Sequence, residues 1–186
     1  MMVNSTELIQ LIITCGAYKA DIIKIEDIVL NRDFAKMCED NKCGIYGKCY
    51  MCPPSIGKID ELISKVGTFS GGIIYQTVSE KDNPFSPEKM RQKVRDHMSV
   101  SQIIQRRIKT DCDIDFLHLS TGGCCLCDTC AKVTDEPCRF PNDALSSLEA
   151  YGIDVFKTLS ATSIKDRYGQ DTITFFGIIL SNDINL

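Results

Sequence analysis

The chain has 186 residues, enough to bury the core of one full domain. Hydrophobic residues make up 44% and charged residues 25%, a balance that fits a globular protein and not a disordered one. A net charge of −4 argues against a surface that wraps nucleic acid or lies on an anionic membrane.

The first predicted element is a helix from Asn4 to Gly16, with Asn4, Ser5 or Thr6 to cap it and Gly16 to end it. Its apolar run, Leu8–Ala17, is well short of the ~20 residues that span a bilayer. It has Glu7 and no Lys or Arg ahead of it, where a signal peptide needs positive charge. The expectation is a buried or amphipathic first helix in a cytoplasmic protein. Asp21–Leu30 is rich in Ile and Val and predicts a strand. Phe34–Lys58, with four cysteines, adjacent prolines and three glycines, reads as an irregular ligand loop. Ile59–Val66 predicts a short helix ending near Gly67, and Gly71–Val78 a strand.

Asn83–Pro87 reads as a turn into the longest helix, Pro87 to about Lys109. There Met90, Val94, Met98, Ile104 and Ile108 recur at roughly helical spacing. Ile114–Ser120 predicts a strand that delivers the chain to Gly122. Asn142–Tyr151 predicts a helix stopped by Gly152, Ile153–Ser160 a second short element, and Thr172–Leu180 the last and most apolar strand. Strands alternating with helices give an α/β or α+β fold. We read it as a single domain over residues 1–186, a central sheet flanked by helices, with cysteine loops at 38–54 and 122–141.

Eleven cysteines, several of them at clustered C-x2-C spacing, point to metal ligation rather than a disulfide framework. Cys124, Cys127 and Cys130 follow one another at that spacing, and Cys138 comes later, followed by Arg139 and Pro141. Such thiols converge when the backbone curls round a small inorganic core. Bacterial ferredoxins hold a [4Fe–4S] cluster on a similar run with a shorter gap to the last cysteine. Gly122 and Gly123 allow backbone N–H groups to approach a cluster closely. Arg139 either offsets the charge of four thiolates or pairs with Glu136 or Glu149. In the first loop, Cys38, Cys43, Cys49 and Cys52 precede Pro53 and Pro54, and a proline after the last ligand fixes the exit of the chain. Zinc also accepts four cysteines, so a zinc knuckle is the competing reading of this group. All eight thiols are candidate metal ligands, and the two groups can exchange ligands between cages.

These motifs carry a resemblance. Cys38-x4-Cys43-x2-Tyr46-Gly47-x4-Cys52-Pro53-Pro54, then Gly123-Cys124-x2-Cys127-x2-Cys130 and Pro137-Cys138-Arg139-x-Pro141, resembles a family of predicted metal-binding proteins, domain of unknown function 2284. The tail Ser147-x-Glu149-Ala150-x-Gly152-Ile153-Asp154-Val155 is similar too, so the resemblance covers roughly Ile22 to Leu180. It implies a cysteine-bound centre, iron–sulfur in type, in anaerobic bacteria and archaea, and brings no settled reaction. A cysteine is not expected at position 49 in every member; without it the first loop offers three thiols and an open or borrowed fourth position.

Cys15 and Cys112 read as small buried hydrophobes, and Cys125, whose side chain should point away from that of Cys124, as another such residue or as a spare ligand or redox thiol. His97 and His118 sit in no metal-binding pattern, although the strand of His118 runs into the second loop. The basic residues of the long helix read as a solvated face or as a docking surface for an acidic redox partner. No phosphate-binding loop, dinucleotide fingerprint or nucleophile elbow is present, so no catalytic residue is assigned. The leading functional reading is a cytoplasmic protein with one or two [4Fe–4S] clusters that exchanges single electrons with a partner redox protein, with no nucleic acid or membrane involved. The alternatives are a cluster-dependent enzyme or metallocofactor-maturation factor with an open iron site, and a structural zinc protein.

Overall fold

Two ten-residue strands, rich in β-branched and aromatic residues, form the frame on which everything else is hung. The computed structural model describes residues 2–81 and 86–186, so most of the turn read at Asn83–Pro87 lies outside the described residues. In chain order the elements are β1 (Val3–Asn4), α1 (Ser5–Thr14), β2 (Lys19–Lys24), α2 (Phe34–Glu39), α3 (Ile59–Val66) and β3 (Gly71–Glu80). They continue with α4 (Pro87–Asp111), β4 (Leu117–Ser120), β5 (Ser146–Ser147), α5 (Val155–Thr158), β6 (Thr172–Ser181) and β7 (Ile184–Asn185).

The main sheet has the order β2-β3-β6-β4-β5, antiparallel except for the β4–β5 pair. It is an α+β domain around a mixed five-stranded sheet. The register of β3 against β6 runs from Gly71 opposite Ser181 to Glu80 opposite Thr172. Successive side chains of a strand leave opposite faces. Ile73, Tyr75 and Ile179 therefore pack with Leu8 and Ile12 of α1 and Ile104 and Ile108 of α4. Ile74, Phe176, Ile178 and Leu180 pack on the other side, with Leu62 and Val66 of α3 and the stretch from Leu148 to Ile164. Each such fully buried side chain stabilises the fold by about 1.5–3 kcal/mol. Gly177 stands directly opposite Tyr75, and a Cβ there would meet the Tyr75 ring at 2.3 Å. The strand needs glycine at that point because the ring lies across it.

The first helix begins where its cap predicts: the Asn4 side chain accepts hydrogen bonds from the N–H groups of Thr6 (2.8 Å) and Glu7 (3.4 Å). Pro87 occupies the first turn of α4. The face that α4 turns to the sheet is only partly apolar, because His97, Ser101, Gln102 and Gln105 are buried with Met98, Ile104 and Ile108. Beneath it lies a polar seam. The Tyr75 hydroxyl donates to Ser101 Oγ at 2.7 Å and meets His118 Nε2 at 2.8 Å, and Ser101 reaches Ser120 at 2.8 Å. His97 Nε2 donates to the Phe176 carbonyl at 3.1 Å, so its Nδ1 accepts from the Thr77 hydroxyl at 2.8 Å. Burial pulls His97 down to about 4 and His118 to about 3, so both rings are neutral inside the fold.

Three segments differ from expectation. The predicted strand at Asp21–Leu30 ends at Lys24, where the chain enters a short 3-10 turn over Ile25–Asp27. The first cysteine loop opens with a helix, α2, and is not irregular throughout. Asn142–Tyr151 is not a helix: Ser146 and Ser147 pair in parallel with Leu119 and Ser120, and only Glu149–Tyr151 turns, as 3-10. Gly152 ends that turn at φ +77, as expected. The outermost strands, β1 and β7, pair in parallel and bring Val3 beside Ile184. Among the described residues no helix is long and apolar enough to cross a membrane.

Candidate metal centre

The first cysteine loop is wound from consecutive tight turns. Cys38 lies in the last turn of α2, and its carbonyl accepts the Asn41 N–H at 3.0 Å. Asn41 has φ +50, and its side chain accepts the Tyr46 N–H at 3.0 Å. Further turns run from Ile45 to Lys48, from Cys49 to Cys52 and from Cys52 to Ser55, and Gly47 N–H closes the loop on the Pro53 carbonyl at 3.0 Å. Three of its thiols, Cys38, Cys43 and Cys52, line a cavity of about 580 Å³. The opposite wall is the first half of α4, with Met90, Arg91, Val94 and Arg95. Glu149 and Ala150 contribute a third side, and Gly122, Gly123 and Cys125 complete the wall from the second loop. Burial raises the thiol of Cys38 and the carboxyl of Glu149.

Cys49 is placed differently from its three neighbours. It is only 5% exposed, and it lines a second cavity of about 340 Å³ together with Cys124, Cys127, Cys130 and Cys138. Its sulfur takes hydrogen bonds from the Cys52 thiol, the backbone N–H groups of Met51 and Cys124, and the Cys130 thiol. The Cys52 bond, first among these, lowers Cys49 to about 6, whereas Cys52 itself is pushed up. Cys49 thus joins the two groups and faces the second.

The second loop is pinned at its root. The Thr121 hydroxyl donates to the Phe176 carbonyl at 2.8 Å and accepts the Phe176 N–H at 3.2 Å, which fixes the end of β4 against the central strand β6. Gly122 lies at φ +71 with Val94 only 3.3 Å from where a Cβ would be, and Gly123 meets Ile45 of the first loop at 3.0 Å in the same sense. The Cys124 sulfur accepts backbone N–H bonds from Leu126 and Leu145, and its burial raises it to about 11. Cys125 is exposed, has φ +56, and borders both cavities. Cys130 leads into a 3-10 turn over Ala131–Thr134. Arg139 donates to the Thr129 carbonyl at 2.9 Å and approaches Glu136 at 3.6 Å, bracing the loop before Pro141. Two contacts tie the loops to one another and to β5: Tyr50 donates to the Glu136 carbonyl at 2.7 Å, and Ser146 to the Met51 sulfur at 3.8 Å.

The structure therefore brings all eight expected ligand cysteines to one end of the sheet, in a set of three and a set of five. Cys15 and Cys112 lie away from both sets, partly buried against the core beside α1 and α4. His97 and His118 belong to the polar seam, and His118 bonds Tyr75. Among the described residues no three Cys, His, Asp or Glu side chains are drawn together tightly enough for one metal ion. A four-thiolate zinc site would need sulfurs about 3.8 Å apart, from Zn–S bonds of about 2.3 Å. The donors are soft thiols that line two cavities, a set that fits a thiophilic metal.

The basic residues of α4 do not form one surface. Arg106 holds Asp143 through two bonds of 2.9 and 3.1 Å, Arg107 pairs with Asp111 at 2.7 Å, and Lys109 donates to the Asn142 carbonyl. Lys89 and Lys93 have partners as well. Arg91 and Arg95 instead stand on the first cavity, where no carboxylate pairs with them among the described residues. Nothing in the helical pattern announced that position, although their i, i+4 spacing beside Met90 and Val94 contained it.

Comparison with curated proteins and with solved structures finds no match in either. The family described as predicted metal-binding protein (DUF2284) matches residues 21–181, a span that contains both cysteine loops and most of the sheet. The chain belongs to that family of predicted metal-binding proteins.

Proposed function

We propose that the protein is a cytoplasmic iron–sulfur redox protein with two unlike centres. One is a closed, four-cysteine [4Fe–4S] cluster on Cys124, Cys127, Cys130 and Cys138, which exchanges single electrons with a partner redox protein. The other is a cluster on Cys38, Cys43 and Cys52 that faces the larger cavity. A cubane bound by four cysteines can only exchange electrons, whereas one bound by three keeps an iron position free for a small molecule.

The observation that carries this reading is the position of Cys49. It keeps its bond to Cys52 but lines the second cavity, so three thiols of the first loop line the larger one. Backbone N–H donation to the Cys124 sulfur supports a cluster on the second loop, since such bonds set the potential of iron–sulfur centres. The arrangement favours the open-site reading over a simple carrier.

The test is iron, zinc and acid-labile sulfide per chain for the wild type and Cys49→Ser, purified anaerobically, with an electron paramagnetic resonance spectrum after dithionite. About eight irons and eight sulfides in both proteins are expected for two cubanes. Loss of about four irons in Cys49→Ser would make Cys49 the fourth ligand of a closed first cage. About two zincs without sulfide would replace the redox reading with a zinc-stapled interaction domain.

A further inference from the structure

We infer that the cavity between α4 and the first cysteine loop binds a small organic monocarboxylate with an apolar body, its carboxylate held at the mouth by Arg91 and Arg95. The inference rests on the proposed function only for what that molecule meets at the inner wall, where Cys38, Cys43 and Cys52 stand.

Its first support is the pair of arginines. Residues four apart on a helix are neighbours on one face, and a guanidinium presents a planar fork matched to a carboxylate. Arg106, Arg107 and Lys109 on the same helix are engaged with protein groups, and Lys89 and Lys93 have partners. Arg91 and Arg95 are exposed and lack a carboxylate partner among the described residues. Two guanidiniums side by side repel one another, and a shared anion relieves that.

The second support is the cavity itself. Its volume of about 580 Å³ falls within the rough range of 300–1,000 Å³ that holds small molecules. Val94 and Ile45 give it apolar walls, and Met37 leaves 63% of its surface exposed at its edge. A methionine so exposed gains nothing from the core and is suited to covering an apolar body. The third support is Glu149 on the inner side. Its buried carboxyl, bonded to Ser147, brings no positive charge to that side of the cavity. One charge at the mouth and carbon beyond it is the chemistry of a monocarboxylate.

The rival role for the two arginines is to offset the negative charge of the thiolates. Calorimetric titration separates the two, using anaerobically purified protein and a panel of phenylacetate, 3-phenylpropionate and hexanoate, with inorganic phosphate as control. At least one panel member is expected to bind the wild type, and to bind the Arg91→Gln/Arg95→Gln double variant at least tenfold more weakly. Arg106→Gln should bind as the wild type does. Iron and sulfide per chain should be equal in all three proteins. Four results overturn the inference: no panel member binding the wild type, unchanged affinity in the double variant, phosphate binding as tightly as the carboxylates, or loss of iron in the double variant. If carboxylate binding depends on the arginines in protein that holds no iron or sulfide, the cluster reading fails and the binding site stands. If the clusters are present and no carboxylate binds, only this inference fails.

Discussion

The two cysteine loops use the same donor atom in different surroundings. The second is rooted in a strand of the main sheet, locked at Thr121 to the Phe176 backbone, and gives backbone N–H groups to the Cys124 sulfur. The first is a chain of turns after a six-residue helix, and its thiols face a cavity partly walled by another element, α4. A loop rooted in the sheet suits a centre that keeps its geometry. A loop facing a cavity suits a centre that admits something. Cys49 belongs by sequence to the first and by contact to both.

Breaking each loop separately gives the largest expected effects. Cys52→Ser should remove the first centre and leave the second, and Cys127→Ser should do the reverse. Each would lose about four irons, with a different half of the resonance spectrum missing. If either substitution empties both sites, the loops are one unit and the distinction between them is void.

Acid is a gentler probe of the same contrast, because the second loop leaves a strand that carries one of the two buried histidines. Their ordinary pKa is about 6.5, and inside the fold they sit at about 4 and about 3. Below pH 6.5 the unfolded chain takes up protons that the folded chain refuses. Stability is therefore full above that pH and falls as pH drops towards 4. With two histidines the slope approaches about 2.7 kcal/mol per pH unit. Urea midpoints between pH 7 and 5 should show this fall, and His118→Gln should roughly halve it. A flat wild-type profile would mean that the seam opens to water.

The smallest effect is expected at the tie between the loops. Tyr50→Phe removes the hydrogen bond to the Glu136 carbonyl at a cost of about 1 kcal/mol. Lys132 over the Tyr50 ring, 5.6 Å from its centre, remains. Hydrogen exchange over residues 131–138 should quicken while that of β3 and β6 does not. Equal exchange in both proteins would show that the tie adds nothing to the loop contacts.

The helices with caps and clear period were legible in the sequence: α1 from Asn4 and Gly16, α3 from its edge at Gly67, and α4 from Pro87 onward. The long strands were legible from their apolar runs. Residues 142–151 were not, because Leu145, Leu148 and Tyr151 recur every three residues and mimic a helix. What decided that stretch is a ladder to Leu119 and Ser120, a partner more than twenty positions earlier. The two cysteine groups were visible as spacing, but spacing says nothing about which way Cys49 turns. That follows from Cys124 and Cys130 arriving beside it. The direction of Arg91 and Arg95 was hidden for the same reason: a charge on a helix shows its position along the chain and not its neighbour in space.

The long helix α4 also sets a distance scale. Its first half walls the cavity, while Asp111 and Cys112 at its far end lie beside Val3 and Asn4, where β1 meets β7. At 1.5 Å per residue, Arg95 and Asp111 are about 24 Å apart along a nearly rigid rod. A nitroxide label introduced next to β1 or β7 would sit well clear of the eight candidate ligand thiols. It would lie within the reach of pulsed dipolar spectroscopy to a paramagnetic centre at the other end, so the separation of label and centre could be read while either loop is altered.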